Sequence, residues 1–202
     1  VKDRGFNIDP QSAKIKIDGE ELVLQKYVYI MMNKPQGIIS AARDGKEKTV
    51  IDIVPEELKR KNLFPAGRLD KDTVGFMLIT DNGDFAHKIL SPKNHISKTY
   101  EARLAQPITN DELQKIRLGI TLGDGTKCLP AEAEICEDGE TPLVKVVLCE
   151  GKYHQIKRMF ASLGNSVTEL KRVKMGALPL DESLAPGECR ILTESEIKLI
   201  GG

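Results

Sequence analysis

The sequence has little of what metal-binding, redox and secreted proteins depend on. Its 202 residues include no tryptophan, three histidines and four cysteines, and the cysteines show no Cys-x-x-Cys spacing. This pattern argues against a zinc site and favours reduced structural thiols, so we expect no metal. No apolar run approaches the roughly 20 residues that span a bilayer, and no signal peptide is recognisable. We therefore expect a cytoplasmic protein that makes no contact with a membrane.

Signature loops of several large enzyme classes are missing as well. The chain has no Gly-x-x-x-x-Gly-Lys-Ser/Thr loop, no Gly-x-Gly-x-x-Gly after a strand, no Gly-x-Ser-x-Gly elbow and no His-Glu-x-x-His. Their absence argues against nucleotide-fuelled enzymes, nicotinamide-dependent enzymes, serine hydrolases and zinc proteases. Any chemistry must then come from carboxylates, cations and a few aromatic side chains.

The charged residues are balanced in number but segregated along the chain. The 30 basic and 30 acidic residues give no net charge. Residues 151–176, however, contain six lysines and arginines and one acid, whereas residues 132–140 contain five acids and no base. Such segregation permits a phosphate-binding face on a neutral protein, and a solvated surface of mixed charge is the alternative.

Strand and helix patterns are intermixed from Tyr27 onward. Helix signals follow Asn82, Thr109 and Thr193, of which the last two open capping boxes. The strand patterns are YVYIMMNK, VGFMLIT, SKTYEARL, AEAEIC, LVKVVLCE and VTELKRVKM, and residues 153–163 suit a further helix. Hairpin-like turns mixed with helical connections predict an α+β fold with a mixed, largely antiparallel central sheet flanked by helices.

The first 25 residues differ from the rest of the chain. The stretch KIKIDGEEL alternates apolar and polar residues, and Asp18-Gly19 could turn one short strand into a second. Such a segment is too small for a core of its own. Because the chain opens with Val1, we expect residues 1–25 to be the end of a longer amino-terminal module, and residues 27–202 to form the main domain.

The segment GRLDKDTVGFMLITDNG, residues 67–83, places a charged turn before an apolar strand. A carboxylate such as Asp70 can act as a nucleophile when a cation within roughly 4–6 Å keeps it ionised and water is partly excluded. Neighbouring Lys71 should point away from Asp70 on an extended segment. Asp72 is expected to cap or brace the turn and not to share in the chemistry. A second reacting carboxylate so close by would raise the pKa of one of the two and disfavour an ionised nucleophile.

A cationic partner for Asp70 is expected from EGKYHQIKRMFASLG, residues 150–164. On a helix, His154, Lys157 and Arg158 would share one face. Spacing alone leaves the ordinary readings open, in which Asp70 is a turn residue, Tyr100 a packed strand aromatic and Lys157 a solvated helix residue.

Five segments, in order, resemble the motifs of the pseudouridine synthases. Residues 67–83 are similar to the central motif, in which a Gly-Arg-Leu-Asp element holds the aspartate essential to that class. The others are NKPQG (33–37), similar to the first motif; SKTYEARL (97–104), to the strand with the active-site tyrosine; residues 150–176, to the basic third motif; and LAPGECRILTESEI (184–197), to a carboxy-terminal segment. The last segment and YHQIKRM (153–159) resemble the RsuA-type branch, which acts on small-subunit ribosomal RNA.

The resemblance implies a pseudouridine synthase fold with a central catalytic cleft, which isomerises uridine to pseudouridine without a cofactor. Asp70 would be the essential aspartate, as nucleophile or as stabiliser of the cleaved sugar. Tyr100 would stack on a uracil flipped out of the RNA, and Lys157 would pair with Asp70. Arg68 would fill the gap left by the flipped base or hold its phosphate. Further RNA contacts are expected from His154, Arg158, Lys171 and Arg172.

The implied substrate is small-subunit (16S) ribosomal RNA, at the position that the family modifies as uridine 516, either free or within an assembly intermediate. We expect a monomer. A large-subunit (23S) synthase is the alternative inside the enzyme class, and a catalytically silent rRNA-binding or ribosome-assembly factor is the alternative outside it. Residues 1–25 resemble only the closing part of an S4-type RNA-binding domain, so some RNA contacts are expected to lie outside this chain.

Overall fold

The computed structural model of the chain describes residues 15–17, 20–22 and 26–201. Strands β1 (Ile15–Ile17) and β2 (Glu20–Leu22) pair antiparallel, as the alternating pattern predicted. The rest of residues 1–25 lies outside the described residues. The assignment of this segment to an S4-type module therefore stays a prediction.

A mixed sheet of nine strands forms the centre of the described main domain. Its strands are β3 (Tyr29–Lys34), β4 (Phe64–Pro65), β5 (Val74–Thr80), β6 (Lys98–Leu104), β7 (Glu132–Glu137), β8 (Leu143–Leu148), β9 (Val167–Met175), β10 (Leu178–Pro179) and β11 (Cys189–Ile191). The order across the sheet is β11-β3-β5-β9-β6-β8-β7, with β4 beside β5 and β10 beside β9. Among these described strands only β5 and β9 pair in parallel, which confirms the predicted largely antiparallel α+β fold.

Within residues 26–201, four α-helices accompany the sheet, and the starts of three of them follow local signals in the sequence. They are α1 (Gly83–Leu90), α2 (Asn110–Leu118), α3 (Gln155–Ala161) and α4 (Glu194–Gly201). The Asn82 side chain caps α1. Thr109 with Glu112, and Thr193 with Glu196, form the reciprocal hydrogen bonds of the predicted capping boxes. These contacts satisfy backbone N–H groups that a helix start leaves without partners.

Helix α3 is shorter than the predicted span of 153–163. It begins at Gln155, because His154 adopts a left-handed conformation with φ of 47°. An L-residue in that conformation cannot continue a right-handed helix. His154 therefore belongs to a turn and not to the helix face that the spacing suggested.

The apolar core is divided between the two sides of the β5–β9 contact. On the β3–β5 side, successive strand residues such as Met31 and Met32 point into two separate clusters on opposite faces of the sheet. On the β6–β8 side, α2 and α3 cover a third cluster, to which Leu113 and Phe160 contribute fully buried side chains. The sheet thus joins two sides whose clusters are largely separate, although Met175 of β9 belongs to a cluster of the β3–β5 side and Tyr100 packs against clusters of both sides.

The β5–β9 contact that joins the halves is short and depends on a glycine. Its two residue pairs are Val74 with Lys171 and Gly75 with Arg172. Gly75 has φ of 97°, and a Cβ atom there would lie 2.3 Å from the carbonyl oxygen of Arg172. Only glycine tolerates both this backbone conformation and this approach.

We predict that Gly75→Ala lowers the free energy of unfolding by more than about 2 kcal/mol, because it combines an unfavourable positive φ with a backbone clash. Gly83→Ala is the matched control, since a Cβ atom at this first residue of α1 meets no atom within 4 Å. We expect the free energy of unfolding of the control to lie within about 0.5 kcal/mol of that of the parent, or above it. Urea unfolding followed by circular dichroism measures both, and equal losses would contradict the proposed importance of the close approach.

Candidate active site

A cavity of about 600 Å³ lies beside the point where β5 and β9 meet. Its wall is built from the loop before β5, from residues of β6 and β9, and from the turn before α3. Five of the eight predicted site residues line it, namely Arg68, Asp70, Tyr100, His154 and Arg172. The fold therefore gathers residues from four separate segments of the chain around one space.

A buried lysine holds the loop that carries Asp70. Lys34, the last residue of β3, is completely buried. Its ammonium group donates hydrogen bonds to the carbonyl oxygens of Pro35, Lys71 and Thr73 at 3.1, 3.3 and 2.9 Å. Burial lowers the pKa of Lys34 to about 8, although nearby carboxylates oppose this shift. The lysine thus ties both sides of the Asp70 loop to the end of a core strand.

The segment after β3 supports the same loop through two further contacts. The Ser40 hydroxyl donates to the carbonyl oxygen of Leu69 at 2.7 Å and accepts from its N–H at 3.0 Å. The N–H of Gly37 donates to the carbonyl oxygen of Lys71 at 2.8 Å. The NKPQG segment and its neighbour therefore act on the site by positioning the Asp70 loop.

A lysine and a histidine side chain approach the Asp70 carboxylate. Nζ of Lys157, from α3, lies 3.3 Å from Oδ2 of Asp70, and Nε2 of His154 lies 3.3 Å from Oδ1. The side chains of Asp70 and Lys157 are 28% and 24% exposed, so both are partly withdrawn from water. The structure therefore brings together three of the predicted site residues in one electrostatic cluster.

Lys157 is shared between two carboxylates, which the sequence did not reveal. Its Nζ lies 2.5 Å from Oδ1 of Asp72, closer than to Asp70. This hydrogen bond is the main cause of a lowered pKa of Asp72. Asp72 therefore does more than brace the turn, because it takes part of the Lys157 charge. Lys71, in contrast, pairs with Glu47.

A buried carboxylate shapes the turn that presents His154. Glu150, which is 8% exposed, accepts hydrogen bonds from the N–H of Leu129 at 2.8 Å and from Nε2 of Gln155 at 2.7 Å. The ammonium group of Lys152 also contacts Glu150, and the backbone N–H of Lys152 donates to Oε1 of Gln155. This network spans the residues on both sides of His154 and holds the turn from which its imidazole reaches Asp70.

Two predicted RNA-binding arginines lie nearer the edge of the site. Nη2 of Arg158 lies 2.5 Å from Oδ2 of Asp124, and Nη1 donates to the carbonyl oxygen of Tyr153. The Arg158 charge is therefore already paired within the protein. Arg68 is exposed at the cavity, and its guanidinium forms no ion pair with any residue that the structure describes. Of the two, Arg68 has the charge available for RNA.

Lys171 and Arg172, both predicted to contact RNA, lie on opposite faces of β9 and so do not form one basic surface. Successive residues of an extended strand point to opposite faces. Lys171 is exposed and lines a second cleft, whereas Arg172 is 2% exposed and lines the cavity that holds Asp70. The alternation within VTELKRVKM contained this information, and only the clustering of charge suggested otherwise.

The cavity and its surroundings offer carboxylate, ammonium, imidazole, guanidinium and phenol groups. Across residues 15–17, 20–22 and 26–201, no three His, Cys, Asp or Glu side chains converge as metal ligands would. None of the helices in these ranges combines the length and the apolar character of a membrane-crossing segment. All four cysteines are free thiols.

This chain is similar in sequence and in fold to known proteins. The family model described as RNA pseudouridylate synthase matches residues 28–162. The chain is 44% identical over 201 residues to an uncharacterized RNA pseudouridine synthase of Bacillus subtilis, YtzG, covering 99% of this chain and 84% of that protein. It is 41% identical to ribosomal small subunit pseudouridine synthase A of Escherichia coli, covering 98% and 84%. A crystal structure of a pseudouridylate synthase has a TM-score of 0.79 at 40% identity, covering 99% of this chain and 85% of that one.

We predict that the free energy of unfolding of the parent rises relative to that of Lys34→Met between pH 7 and pH 10. The folded-state pKa of Lys34 is about 8, whereas a lysine in the unfolded chain titrates near 10.4. Between these values the folded state binds fewer protons than the unfolded state, so stability increases with pH in this window. The expected relative gain is about 2 to 3 kcal/mol.

Urea unfolding of both proteins at each pH measures this difference, in which the titration of other groups cancels. A difference that stays constant across the window would show that Lys34 retains its ordinary pKa, and that its three carbonyl partners fully offset its burial.

Proposed function

This chain belongs to the RNA pseudouridylate synthase family, and we propose that it isomerises a uridine of small-subunit ribosomal RNA to pseudouridine. The observation that carries this proposal is the Asp70 carboxylate, which a buried lysine positions at a cavity and which His154 and Lys157 approach within 3.3 Å. The name of the similar Escherichia coli protein, ribosomal small subunit pseudouridine synthase A, supports the small subunit as the source of the RNA. Uridine 516 is the position that the sequence resemblance implies.

Asp70 acts on the sugar of the target nucleotide. In the reaction, the bond between N1 of uracil and C1′ breaks, the base turns, and C5 bonds to C1′. Positive charge develops at C1′ when the first bond breaks, and an ionised carboxylate stabilises it, whether or not a covalent bond then forms. His154 and Lys157 contact the two oxygens of Asp70 and fix their direction.

Tyr100 provides the surface on which the uracil lies. It is half-buried, lines the cavity and packs against apolar clusters on both sides of the β5–β9 contact. An aromatic ring held in this way can stack on a flipped base without losing further freedom of motion. Stacking there would bring its phenol near C5, from which a proton must leave late in the reaction.

Arg68 contacts the RNA at the mouth of the cavity. Its exposed guanidinium is planar and forms no ion pair with any described residue, so it can fill the gap left by the flipped base or bind the adjacent phosphate. Lys171 and Arg158 lie outside the cavity and contribute at most to phosphate contacts at its periphery. The isomerisation requires no cofactor. We further propose that the protein acts as a cytoplasmic monomer, on free RNA or within an assembly intermediate.

Release of tritium from C5 of labelled uridine tests this function. We predict that the parent releases tritium from small-subunit ribosomal RNA, free or in assembly intermediates, and that Asp70→Asn lowers the rate by at least about 1,000-fold. The amide keeps the size of the side chain but removes the negative charge that the sugar requires. Large-subunit RNA, tested in parallel, distinguishes the other substrate within the enzyme class.

Asp72→Asn and Asp84→Asn are matched controls for the loss of a carboxylate. Asp72→Asn should retain activity within about tenfold, because Lys157 then pairs with Asp70 alone. Asp84 is exposed in the first turn of α1, outside the cavity, and its variant should match the parent. Tight RNA binding without release from any RNA would instead favour a silent ribosome-assembly factor. Equal losses in the Asp70 and Asp72 variants would contradict the role assigned to Asp70.

A further inference from the structure

Arg172 is a buried cation with unused hydrogen-bonding capacity. It is 2% exposed, and its Nε donates to the carbonyl oxygen of Phe76 at 2.7 Å. Its buried Nη2 has no hydrogen-bond partner in the described part of the chain, and no described carboxylate lies within 4.0 Å of the guanidinium. Buried polar groups without partners are rare in native proteins and call for a specific explanation.

A second buried cation lies close to Arg172. Lys98, the first residue of β6, is 7% exposed and lines the same cavity as Arg172 and Tyr100. Burial and, next, the Arg172 charge lower the pKa of Lys98. Tyr100 lies directly opposite Arg172 in the β6–β9 pairing. The residue on which the uracil is proposed to stack therefore has buried positive charge beside it.

The proposed reaction creates negative charge on the base. When the bond between N1 and C1′ breaks, its electron pair stays with uracil and spreads from N1 onto the carbonyl oxygens O2 and O4. C5 then bonds to C1′, the proton on C5 leaves to solvent, and N1 gains a proton, so that uridine and pseudouridine have the same atoms. A cavity that places cations at the base and a carboxylate at the sugar matches both charges that appear in the first step.

We propose that Lys98 and Arg172 form a cationic floor that binds the uracil carbonyl oxygens and stabilises the negative charge of the departing base. This inference rests on the proposed function. The Arg172 guanidinium lines the cavity, and its terminal nitrogens supply the donors for this contact, because Nε already binds the backbone of β5. Arg172 thereby acts on the base in the cavity, in contrast to the phosphate contact that the charge pattern suggested.

Single-turnover tritium release and RNA affinity, measured separately, test the cationic floor. Arg172→Met should slow tritium release by about 100-fold or more, whereas the dissociation constant for the RNA should change by less than about threefold. This split is expected because the donor matters most after the base becomes negative. Arg172→Lys should recover at least about tenfold in rate relative to Arg172→Met, because it restores a positive charge and a donor.

Two further variants separate this role from a structural one. Lys98→Met removes the second cation without touching the β5–β9 contact, and it should slow release by about tenfold or more at unchanged affinity. If Arg172→Met shows no cooperative thermal unfolding transition, and is therefore not folded, Lys98→Met tests the proposal in its place. Lys145→Met is the control, since Lys145 lies on β8, pairs with Glu134 and is not part of the cavity. Its rate should equal that of the parent.

Three outcomes would overturn the cationic floor. The first is tritium release at the parental rate by both Arg172→Met and Lys98→Met. The second is a loss of RNA affinity in these variants as large as their loss of rate, because uniform binding does not accelerate the chemical step. In both cases the parent remains active and the proposed function stands. A parent that releases no tritium from any ribosomal RNA would overturn the proposed function and this inference together.

Discussion

The short parallel contact between β5 and β9 is the constraint on which the rest of the site depends. It joins two sides of the sheet through two residue pairs, and the apolar clusters of these sides are largely separate. Gly75 permits the approach, and the hydrogen bond from Arg172 to Phe76, which are 96 positions apart, closes it. The loop that carries Asp70 leads into β5, so the contact sets where that loop lies relative to β6 and β9.

The charges around the cavity are arranged as pairs on one side and as unneutralised cations on the other. Asp70 and Asp72 share Lys157, and His154 contacts the second oxygen of Asp70. At the buried floor, no described carboxylate pairs with Arg172. Fixed charges of this kind need little reorganisation during a reaction, which is the general basis of electrostatic catalysis. The fold supplies this order through buried contacts such as those of Lys34 and Glu150.

Most elements of the fold were predictable because their signals are local. The capping boxes at Thr109 and Thr193 and the alternating strands depend on residues a few positions apart, and the structure reproduces them. The contacts that hold the site are distant in sequence. Lys34 binds a carbonyl group 39 positions away, and Lys157 meets Asp72 across 85 positions. No periodicity encodes such contacts, so the resemblance could name Asp70 and Lys157 but not the sharing of Lys157 between two carboxylates.

Two features showed a limit of reading the sequence by residue type alone. The spacing of His154 and Lys157 suggested one helix face, but the left-handed conformation of His154 places it before the first residue of α3. Both side chains still reach Asp70. The neighbours Lys171 and Arg172 looked alike as charges, yet strand geometry separates them into solvent and cavity. In both places, backbone conformation decided the outcome over composition.

The division of the core has a consequence for how such a sequence can diverge. Met31 and Phe160 belong to clusters on different sides of the β5–β9 contact, so a change of volume at one is absorbed by neighbours that the other does not touch. Each half can therefore accumulate substitutions at its own pace while the distance across the cavity is preserved. Selection on the site would then be concentrated in a few residues at the junction, and relatives could retain the reaction after most of their interior has been replaced.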